Sequence, residues 1–186
     1  MRPPLDLPSP PLADPAAGLV LRPWGTSPGD PDSLTAAWDD PDVARWTGVP
    51  EPHDRPAAQR WIAGEQARRD AGLVLDLVVA DAADPAVVHG EVGLVLVEPG
   101  RGWAEVGFWL FPAARGRHRA ARALALLADW ALGSTQVRRL FARTAADNPA
   151  AGRVAEAAGF RLAGEAADGV RVWIRDRPPS EPSGAG

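Results

Sequence analysis

Four arginines crowd a short loop and the start of the helix predicted to follow it: Arg115, Arg117, Arg119 and Arg122. A helix N-terminus carries a partial positive charge, so acidic residues are favoured in its first turn. Here no Asp or Glu occurs until Asp129. A bound anion would remove this conflict, because free backbone N–H groups and guanidinium groups both favour phosphate. The alternative is a solvated basic face on an Arg-rich protein. We interpret the pattern as a phosphate-binding loop.

The elements on either side of this loop are predicted to position it. The segment 103–111 is apolar and aromatic, as is typical of a buried strand, and Pro112 ends it because proline lacks the N–H that a sheet ladder needs. From Ala120 onward the chain is rich in Ala and Leu, with apolar residues at helical spacing. The order strand, glycine-containing loop, helix turns the N–H groups of the helix start toward a ligand.

Three motifs in this order resemble the GNAT N-acetyltransferase superfamily. Arg115-Gly-Arg-His-Arg-Ala120 is similar to its acyl-CoA pyrophosphate loop, Gln/Arg-x-x-Gly-x-Gly/Ala. Glu105-Val-Gly-Phe-Trp-Leu-Phe-Pro112 resembles the strand before that loop in the ribosomal-protein-alanine acetyltransferase branch. Asn148-Pro-Ala-Ala-Gly-Arg-Val-Ala-Glu-Ala-Ala-Gly-Phe160 resembles that branch's block Asn-x-x-Ser-x-Arg-Val-x-Glu-x-x-Gly-Phe. The resemblance extends from Leu19 to Arg175.

The resemblance implies acetyl-CoA as co-substrate and no metal. The implied cofactor-binding residues are Trp109, Leu110, Phe111, Arg115, Gly116, Arg117, His118, Arg119, Ala120, Ala121 and Asn148. Asn148, the only asparagine, is also suited to cap a helix that begins near Ala150. Two residues depart from the pattern: His118 stands in place of the middle glycine and Ala151 in place of serine. A histidine still offers its N–H to phosphate if its φ is negative, but it does not freely adopt a positive φ.

Acyl transfer to an amine needs a base, a polarised carbonyl and a proton for the leaving thiolate. Glu105 is the first candidate for the base, because strand alternation places it on the same face as Gly107 and Trp109. The alternative for Glu105 is an ordinary edge glutamate or the partner of an arginine. Glu91 is the second candidate for the base, since a strand glutamate beside Gly90 could face the same cleft. His89 is more simply a packed strand residue. Asn148 completes the predicted catalytic set.

No tyrosine is present to protonate the thiolate, so water, Ser134 or Thr144 is left for that role, or the thiolate leaves unaided. Tryptophan is abundant, with eight residues. Those on helical segments are interpreted mainly as core residues, although Trp46 and Trp61 flank the loop 47–55 and offer a lining for an acceptor pocket. Acidic residues around this loop suggest a cationic partner: Asp39, Asp40, Asp42, Glu51 and Asp54.

Composition excludes several classes of function. There is no cysteine, which removes disulfides, thiolate nucleophiles and Cys-ligated metals, and every basic side chain apart from histidine is arginine, which removes lysine chemistry. A net charge of −4 argues against general nucleic-acid binding. No apolar run approaches the about 20 residues that span a bilayer, and the N-terminus does not resemble a secretory signal. We therefore expect no membrane or nucleic-acid partner and a cytoplasmic location.

The order of predicted elements indicates an α+β fold, a GNAT-like mixed and mostly antiparallel sheet of six to seven strands flanked by helices. Strands are predicted at 19–23, 73–80, 87–97, 103–111, 138–144, 160–162 and 170–175, and helices at 33–38, 42–46, 56–69, from 120, and at 150–158. Strands 103–111 and 138–144 are expected to be parallel neighbours. The predicted domains are a disordered tail over 1–17, an acyl-CoA N-acyltransferase domain over 18–176 and a disordered tail over 177–186.

The function implied is acetyl transfer from acetyl-CoA to a primary amine, either a peptide N-terminus or a small aminated molecule, by direct attack on the thioester. The rival is a non-catalytic acyl-CoA-binding domain, to which His118, Ala151 and the absence of tyrosine point. A weaker alternative is a protein-interaction module that keeps only the fold. A monomer or a homodimer is expected.

Overall fold

The computed structural model describes residues 5–179. Its strands are β1 (Ala13–Asp14), β2 (Leu19–Pro23), β3 (Val74–Asp81), β4 (Val88–Glu98), β5 (Trp103–Leu110), β6 (Arg139–Ala145), β7 (Arg161–Glu165) and β8 (Val170–Asp176). Its helices are α1 (Asp30–Asp39), α2 (Pro41–Trp46), α3 (Arg55–Ala63), α4 (Glu65–Asp70), α5 (Arg119–Ser134) and α6 (Pro149–Ala157). Within the described part of the chain, no helix is long and apolar enough to span a bilayer.

All strands form one sheet in the order β1-β2-β3-β4-β5-β6-β8-β7. Neighbouring strands are antiparallel except β5 and β6, which run parallel because the α5 crossover connects them. This confirms the predicted α+β fold and the predicted parallel pair. The sheet has eight strands, one more than the upper limit of the sequence-based prediction.

Each face of the sheet carries its own apolar cluster. Helices α5 and α6 cover one face with small and branched side chains, among them Leu124, Leu127 and Ala155. Helices α1 and α3 cover the other face over β3, where Trp24 and Trp38 are the largest buried side chains. We refer to these as the α5 face and the tryptophan face.

The parallel pairing of β5 and β6 is short. It runs from Trp103 opposite Arg139 to Val106 opposite Ala142 and ends there. Beyond this point β5 continues to Leu110 in register with β4, and β6 continues to Ala145 in register with β8. The two strands therefore separate at their carboxyl ends and leave a gap in the middle of the sheet.

The prediction of a disordered segment over 1–17 is wrong for residues 5–17. Leu5 is buried and its N–H donates to the carbonyl of Arg69, while β1 pairs with β2 and supplies the eighth strand. The sequence-based prediction of disorder relied on the many prolines of this segment. Its apolar residues nevertheless pack on the core. Most of the predicted tail 177–186 lies outside the described residues.

The helix predicted over 56–69 is two helices. Helix α3 ends at Gly64, whose N–H donates to the carbonyls of Arg60 and Ile62, and α4 begins directly afterwards. A short turn at Gly64 therefore changes the direction of the chain and brings Glu65 against β3, where its side chain is buried.

Candidate active site

A cleft of about 820 Å³ runs along the gap between β5 and β6. Its walls come from the end of β5, the loop before α5, helix α2 and helix α6. Nine of the eleven predicted cofactor residues line it, Asn148 from the α6 side and eight from β5, the loop and α5: Trp109, Leu110, Arg115, Gly116, His118, Arg119, Ala120 and Ala121. Phe111 and Arg117 are the two predicted residues that do not line it. A cleft of this size is in the range of small-molecule sites.

The loop Arg115–His118 bends onto α5 through two left-handed residues. Gly116 has φ of 76° and His118 has φ of 57°. His118 is the N-cap of α5, no side chain caps the helix and no acidic residue lies in its first turn. The first N–H groups of α5 therefore have neither an intrahelical partner nor a side-chain cap, which is the arrangement that binds phosphate. Histidine occupies a conformation in which glycine is the unstrained residue.

The arginines of the loop have different partners. Arg115 donates to the carbonyl of Leu110 at 3.0 Å and to the carboxylate of Asp42 at 2.7 Å, and Arg122 pairs with Asp14 at 2.6 Å. Within residues 5–179, neither Arg117 nor Arg119 forms an ion pair, and the Arg119 Nε is buried without a hydrogen-bond partner. Both guanidinium groups are close enough to His89 to lower its pKa, together with burial, which is the main cause. Arg117 and Arg119 are thus available to an anion.

Asn148 is confirmed as a helix cap. Its Oδ1 accepts from the N–H of Ala151 at 3.1 Å at the start of α6. The carbonyl oxygen of the side chain is therefore used within the protein, and the NH₂ group remains as the donor available to the cleft that Asn148 lines.

The end of β5 turns backbone polar groups into the gap. The N–H of Phe111 donates to the carbonyl of His89 at 2.9 Å, so the residues of β5 that bond to β4 are the odd-numbered ones. Phe108 and Leu110 consequently direct their N–H and C=O groups toward β6, whose pairing has already ended. The Leu110 carbonyl is taken by Arg115, and the N–H of Phe108 faces the cleft.

The first candidate for the base, Glu105, does not line the cleft. It lies on the tryptophan face beside the paired section of β5 and β6, with its carboxylate 3.4 Å from the Nε of Arg143. Its side chain is about a third exposed. Glu105 shares a face of the sheet with Gly107 and Trp109, as the sequence predicts. Its carboxylate, however, contacts Arg143 and does not reach the cleft.

The second candidate, Glu91, lies opposite Trp109 in the ladder of β4 and β5. Its carboxylate accepts the indole N–H of Trp24 at 2.7 Å and that of Trp109 at 3.2 Å. Removal from water raises the pKa of Glu91 to about 7, despite these two hydrogen bonds. Trp109 also lines the cleft, so its side chain contacts both this carboxylate and the cleft.

The sequence-based interpretation missed a second carboxyl beside Glu91. Asp76 lies on β3 opposite Gly93, and desolvation first, then the nearby charges of Glu91 and Glu65, raise its pKa to about 8. The available signal was a lone acidic residue within the apolar strand Leu75-Asp-Leu-Val-Val79. An acidic side chain on the covered face of a strand needs a partner or a proton.

The remaining candidates are distributed as follows. Thr144 is buried and accepts the indole N–H of Trp173 at 2.9 Å, and Ser134 is exposed at the end of α5; neither lines the cleft. Trp46 lines the cleft and is 39% exposed, whereas Trp61 packs edge-on against Trp24 in the core of the tryptophan face.

Several of the acidic residues near loop 47–55 have structural partners. Asp40 caps α2 and Asp54 caps α3 through their side chains, while Asp42 pairs with Arg115. These contacts explain the presence of three of the five acidic residues, so those three do not require a cationic ligand.

Comparison with known proteins agrees with the geometry of the cleft. Residues 18–161 match the family model described as an acetyltransferase (GNAT) domain. No curated protein matches the chain. Among solved structures, RimJ of Mycobacterium smegmatis in complex with CoA-disulfide is 20% identical, with a TM-score of 0.73 over 89% of this chain and 85% of that one.

Two further structures have the same fold. The ribosomal-protein-S5-alanine acetyltransferase of Vibrio fischeri is 17% identical, with a TM-score of 0.74 over 89% of this chain and 96% of that one. The spermidine N-acetyltransferase of Vibrio cholerae, in complex with CoA and spermine, is 17% identical, with a TM-score of 0.71 over 87% of this chain and 96% of that one. The separated strands, the uncapped helix start and the family match lead to one conclusion: this chain belongs to the GNAT acetyltransferase family.

Proposed function

We propose that this protein transfers an acetyl group from acetyl-CoA to a primary amine by direct attack of the amine on the thioester. The observation that carries the proposal is the cleft between β5 and β6, with the uncapped N-terminus of α5 at one end and the tryptophan face at the other. A long ligand with a phosphate group at one end and a reactive group at the other matches this arrangement.

The pyrophosphate of acetyl-CoA is assigned to the N–H groups of residues 116–121. The cations Arg117 and Arg119 add charge that no ion pair within residues 5–179 neutralises. The pantetheine arm is assigned to the gap, where Asn148 offers an amide donor and Phe108 and Leu110 form the edge of β5 that faces the gap. Trp109 and Phe111, also assigned to the cofactor from the sequence, are the neighbouring residues whose backbone faces β4. These assignments follow the sequence-based prediction for the cofactor site.

The N–H of Phe108 is suited to polarise the thioester carbonyl, because the β5 ladder turns it into the gap where the partner strand is missing. A preorganised donor of this kind stabilises the charge that develops on the oxygen during attack. The acceptor amine then approaches from the tryptophan face over Gly107, which is exposed and has no atom within 4 Å of the position of a Cβ.

For the base, we favour Glu91 over Glu105. A base works best when its pKa lies near the working pH, and removal from water brings the pKa of Glu91 to about 7. The carboxylate of Glu105 faces the guanidinium of Arg143 instead. The thiolate has no side-chain donor assigned to it, and the second proton of the amine is the nearest source.

The acceptor is proposed to be a peptide or protein N-terminus or a small amine. Structures with this fold include acetyltransferases named for a ribosomal-protein alanine and for spermidine, which supports both classes. We further propose a cytoplasmic enzyme with a catalytic domain over 18–176 that works as a monomer or homodimer, with no nucleic-acid or membrane partner and no metal.

The test is a thiol-release assay with acetyl-CoA and three probe amines: spermidine, an aminoglycoside and a peptide that begins with alanine. Amine-dependent release of CoA by the protein supports the proposal, and a control without amine measures hydrolysis. Binding of acetyl-CoA without acetylation of any amine would favour the rival, a non-catalytic acyl-CoA-binding domain, for which His118 and Ala151 are the specific observations.

A further inference from the structure

Two partly buried carboxyls on the tryptophan face form no ion pair within residues 5–179. Asp76 on β3 and Glu91 on β4 point to the same side of the sheet, because Asp76 pairs with Gly93 and Glu91 pairs with Val78. They are diagonal neighbours across the two strands. Both side chains are partly buried.

The cations nearby are already engaged elsewhere. Arg68 of α4 lies 2.7 Å from the buried carboxylate of Glu65 and stacks over Trp61 at 4.4 Å, and Arg69 lies 3.8 Å from the same Glu65. Glu91 receives only the indole N–H groups of two tryptophans. Within residues 5–179, no side chain or backbone group donates a hydrogen bond to the carboxyl of Asp76.

Two neighbouring carboxyls whose nearest cation, Arg68, is already paired with Glu65 cannot both ionise cheaply, since each negative charge disfavours the other and partial burial disfavours both. The pair therefore holds a proton under conditions in which a solvated carboxyl has lost it. The groups that face Asp76 are Glu91 on β4 and Glu65 and Arg68 on α4, and their charges enter its titration in that order after desolvation. Protons on such a pair belong to both carboxyls together.

Two glycines connect this pair to the gap between β5 and β6. A Cβ at Gly93 would lie 2.2 Å from Oδ1 of Asp76, so the absence of a side chain there lets the carboxyl lie over the strand. Gly93 pairs with Gly107 on β5, the next position toward the gap. Gly107 is exposed, and nothing lies within 4 Å of the place of its Cβ. The sheet surface between Asp76 and the gap is thus free of side chains.

We propose that Asp76 and Glu91 act as one proton acceptor for the substrate amine, reached through water that lies over Gly107. This rests on the acetyl transfer proposed above. The ammonium gives one proton to the pair, which converts a carboxylate to a carboxylic acid, and the neutral nitrogen attacks the thioester carbon. The C–S bond breaks, and the thiolate takes the second proton from the nitrogen. The pair then returns its proton to solvent.

The first test needs no substrate. The ¹³C signals of the two carboxyls are followed from pH 5 to pH 9 and assigned by comparison with Asp76→Asn and Glu91→Gln, with the exposed Glu98 as the internal control. The proposal predicts two linked steps at higher pH than the titration of Glu98. In Asp76→Asn, Glu91 should titrate in one step at lower pH than in the wild type. A Glu91 titration unchanged by Asp76→Asn would overturn the pair.

The second test is kinetic and uses spermidine or the alanine peptide, whichever is acetylated. Asp76→Asn should lower kcat about tenfold or more and shift the pH profile, while KM for acetyl-CoA stays unchanged, and the double variant with Glu91→Gln should be no slower than Glu91→Gln alone. Wild-type rate and pH profile in Asp76→Asn would overturn the catalytic role. If no amine is acetylated, the proposed function fails, while the carboxyl titration still decides whether the pair exists.

Discussion

The guanidinium of Arg115 lies 2.7 Å from the carboxylate of Asp42 and joins the loop before α5 to helix α2 on the other wall of the cleft. The same arginine holds the carbonyl of Leu110 through its Nε at 3.0 Å. Arg115, which the family pattern assigned to phosphate, thus ties together two walls of the cleft. The sequence could not show this, because Asp42 is far away in the chain.

Loss of the Arg115–Asp42 ion pair should increase the mobility of α2 and affect amine binding more than it affects the affinity for acetyl-CoA. We expect Arg115→Gln to raise KM for the amine several-fold and to change the affinity for acetyl-CoA by less than about threefold, because the ion pair is largely exposed. Kinetics with varied amine and titration calorimetry with acetyl-CoA measure the two effects. Arg55→Gln, which removes the exposed pair with Asp32 away from the cleft, is the matched control. A loss of cofactor affinity of a hundredfold would mean that Arg115 binds phosphate directly.

Replacement of both Arg117 and Arg119 by Glu should abolish detectable binding of acetyl-CoA. Each cation contributes a charge-assisted contact to the pyrophosphate, and the reversed charges repel it. Calorimetry at two salt concentrations should also show that wild-type binding weakens with salt. Arg60→Glu on the exposed side of α3 is the control, with no effect expected. Unchanged affinity in the double variant would remove the cofactor site assigned here.

His118→Gly should stabilise the protein. His118 has φ of 57°, a region that costs an L-residue about 1 kcal/mol relative to glycine. Part of this gain is lost to the greater freedom of glycine in the unfolded chain, so we expect a net rise of at most about 0.5 kcal/mol in the free energy of unfolding. His118→Ala keeps the strain and removes the imidazole. Weaker binding of acetyl-CoA in both variants, seen by calorimetry, would show that the imidazole is a ligand.

Stability should fall as pH rises through neutrality. The folded-state pKa values of Asp76 and Glu91 are raised, to about 8 and about 7, so the folded protein binds protons that the unfolded chain has already released. The stabilisation from these protons is complete below the unfolded values near pH 4 and is lost as pH rises toward pH 8. Urea unfolding at several pH values measures it.

Asp76→Asn should remove much of this pH dependence. At pH 8 the variant should be about 1–3 kcal/mol more stable than the wild type, because it no longer buries a charge without a partner, and the difference should shrink at pH 5. Glu98→Gln, at an exposed site, serves as control. An Asp76→Asn variant less stable than the wild type at pH 8, with a deficit that shrinks toward low pH, would show instead that Asp76 is ionised and paired in the fold.

The fold was predictable because its signals are local. Short stretches of sequence are enough to identify the apolar strands, the Ala/Leu-rich α5 and the turn at the glycine of the phosphate loop. Because α5 connects β5 to β6, these two strands are expected to be parallel. The predictions that failed concern contacts between residues far apart in the chain. The packing of Leu5 on the core and the pairing of β1 depend on contacts with Arg69 and Val20 that no local pattern contains.

The site shows the same division. Residues assigned to the phosphate end lie in one continuous stretch of chain, and most of them line the cleft. The carboxyls are spread over several strands, so strand alternation gives the face of Glu105 but does not show that Glu105 lies beside an arginine while Glu91 is shielded from water. The sequence shows Asp76 only as an acidic residue within an apolar strand, and its position beside Glu91 follows from the pairing of β3 with β4.

The most direct test of the central claim is the rate at which wild type, Glu91→Gln and Glu105→Gln form the acetylated product of a probe amine, followed by mass spectrometry. Glutamine keeps the shape of the side chain but cannot accept the proton. We predict that Glu91→Gln lowers the rate at neutral pH by about 10²–10⁴ and recovers partly at high pH, whereas Glu105→Gln stays within a few-fold of wild type. Full activity in Glu91→Gln, or wild-type protein that binds acetyl-CoA and acetylates no amine, would contradict the account.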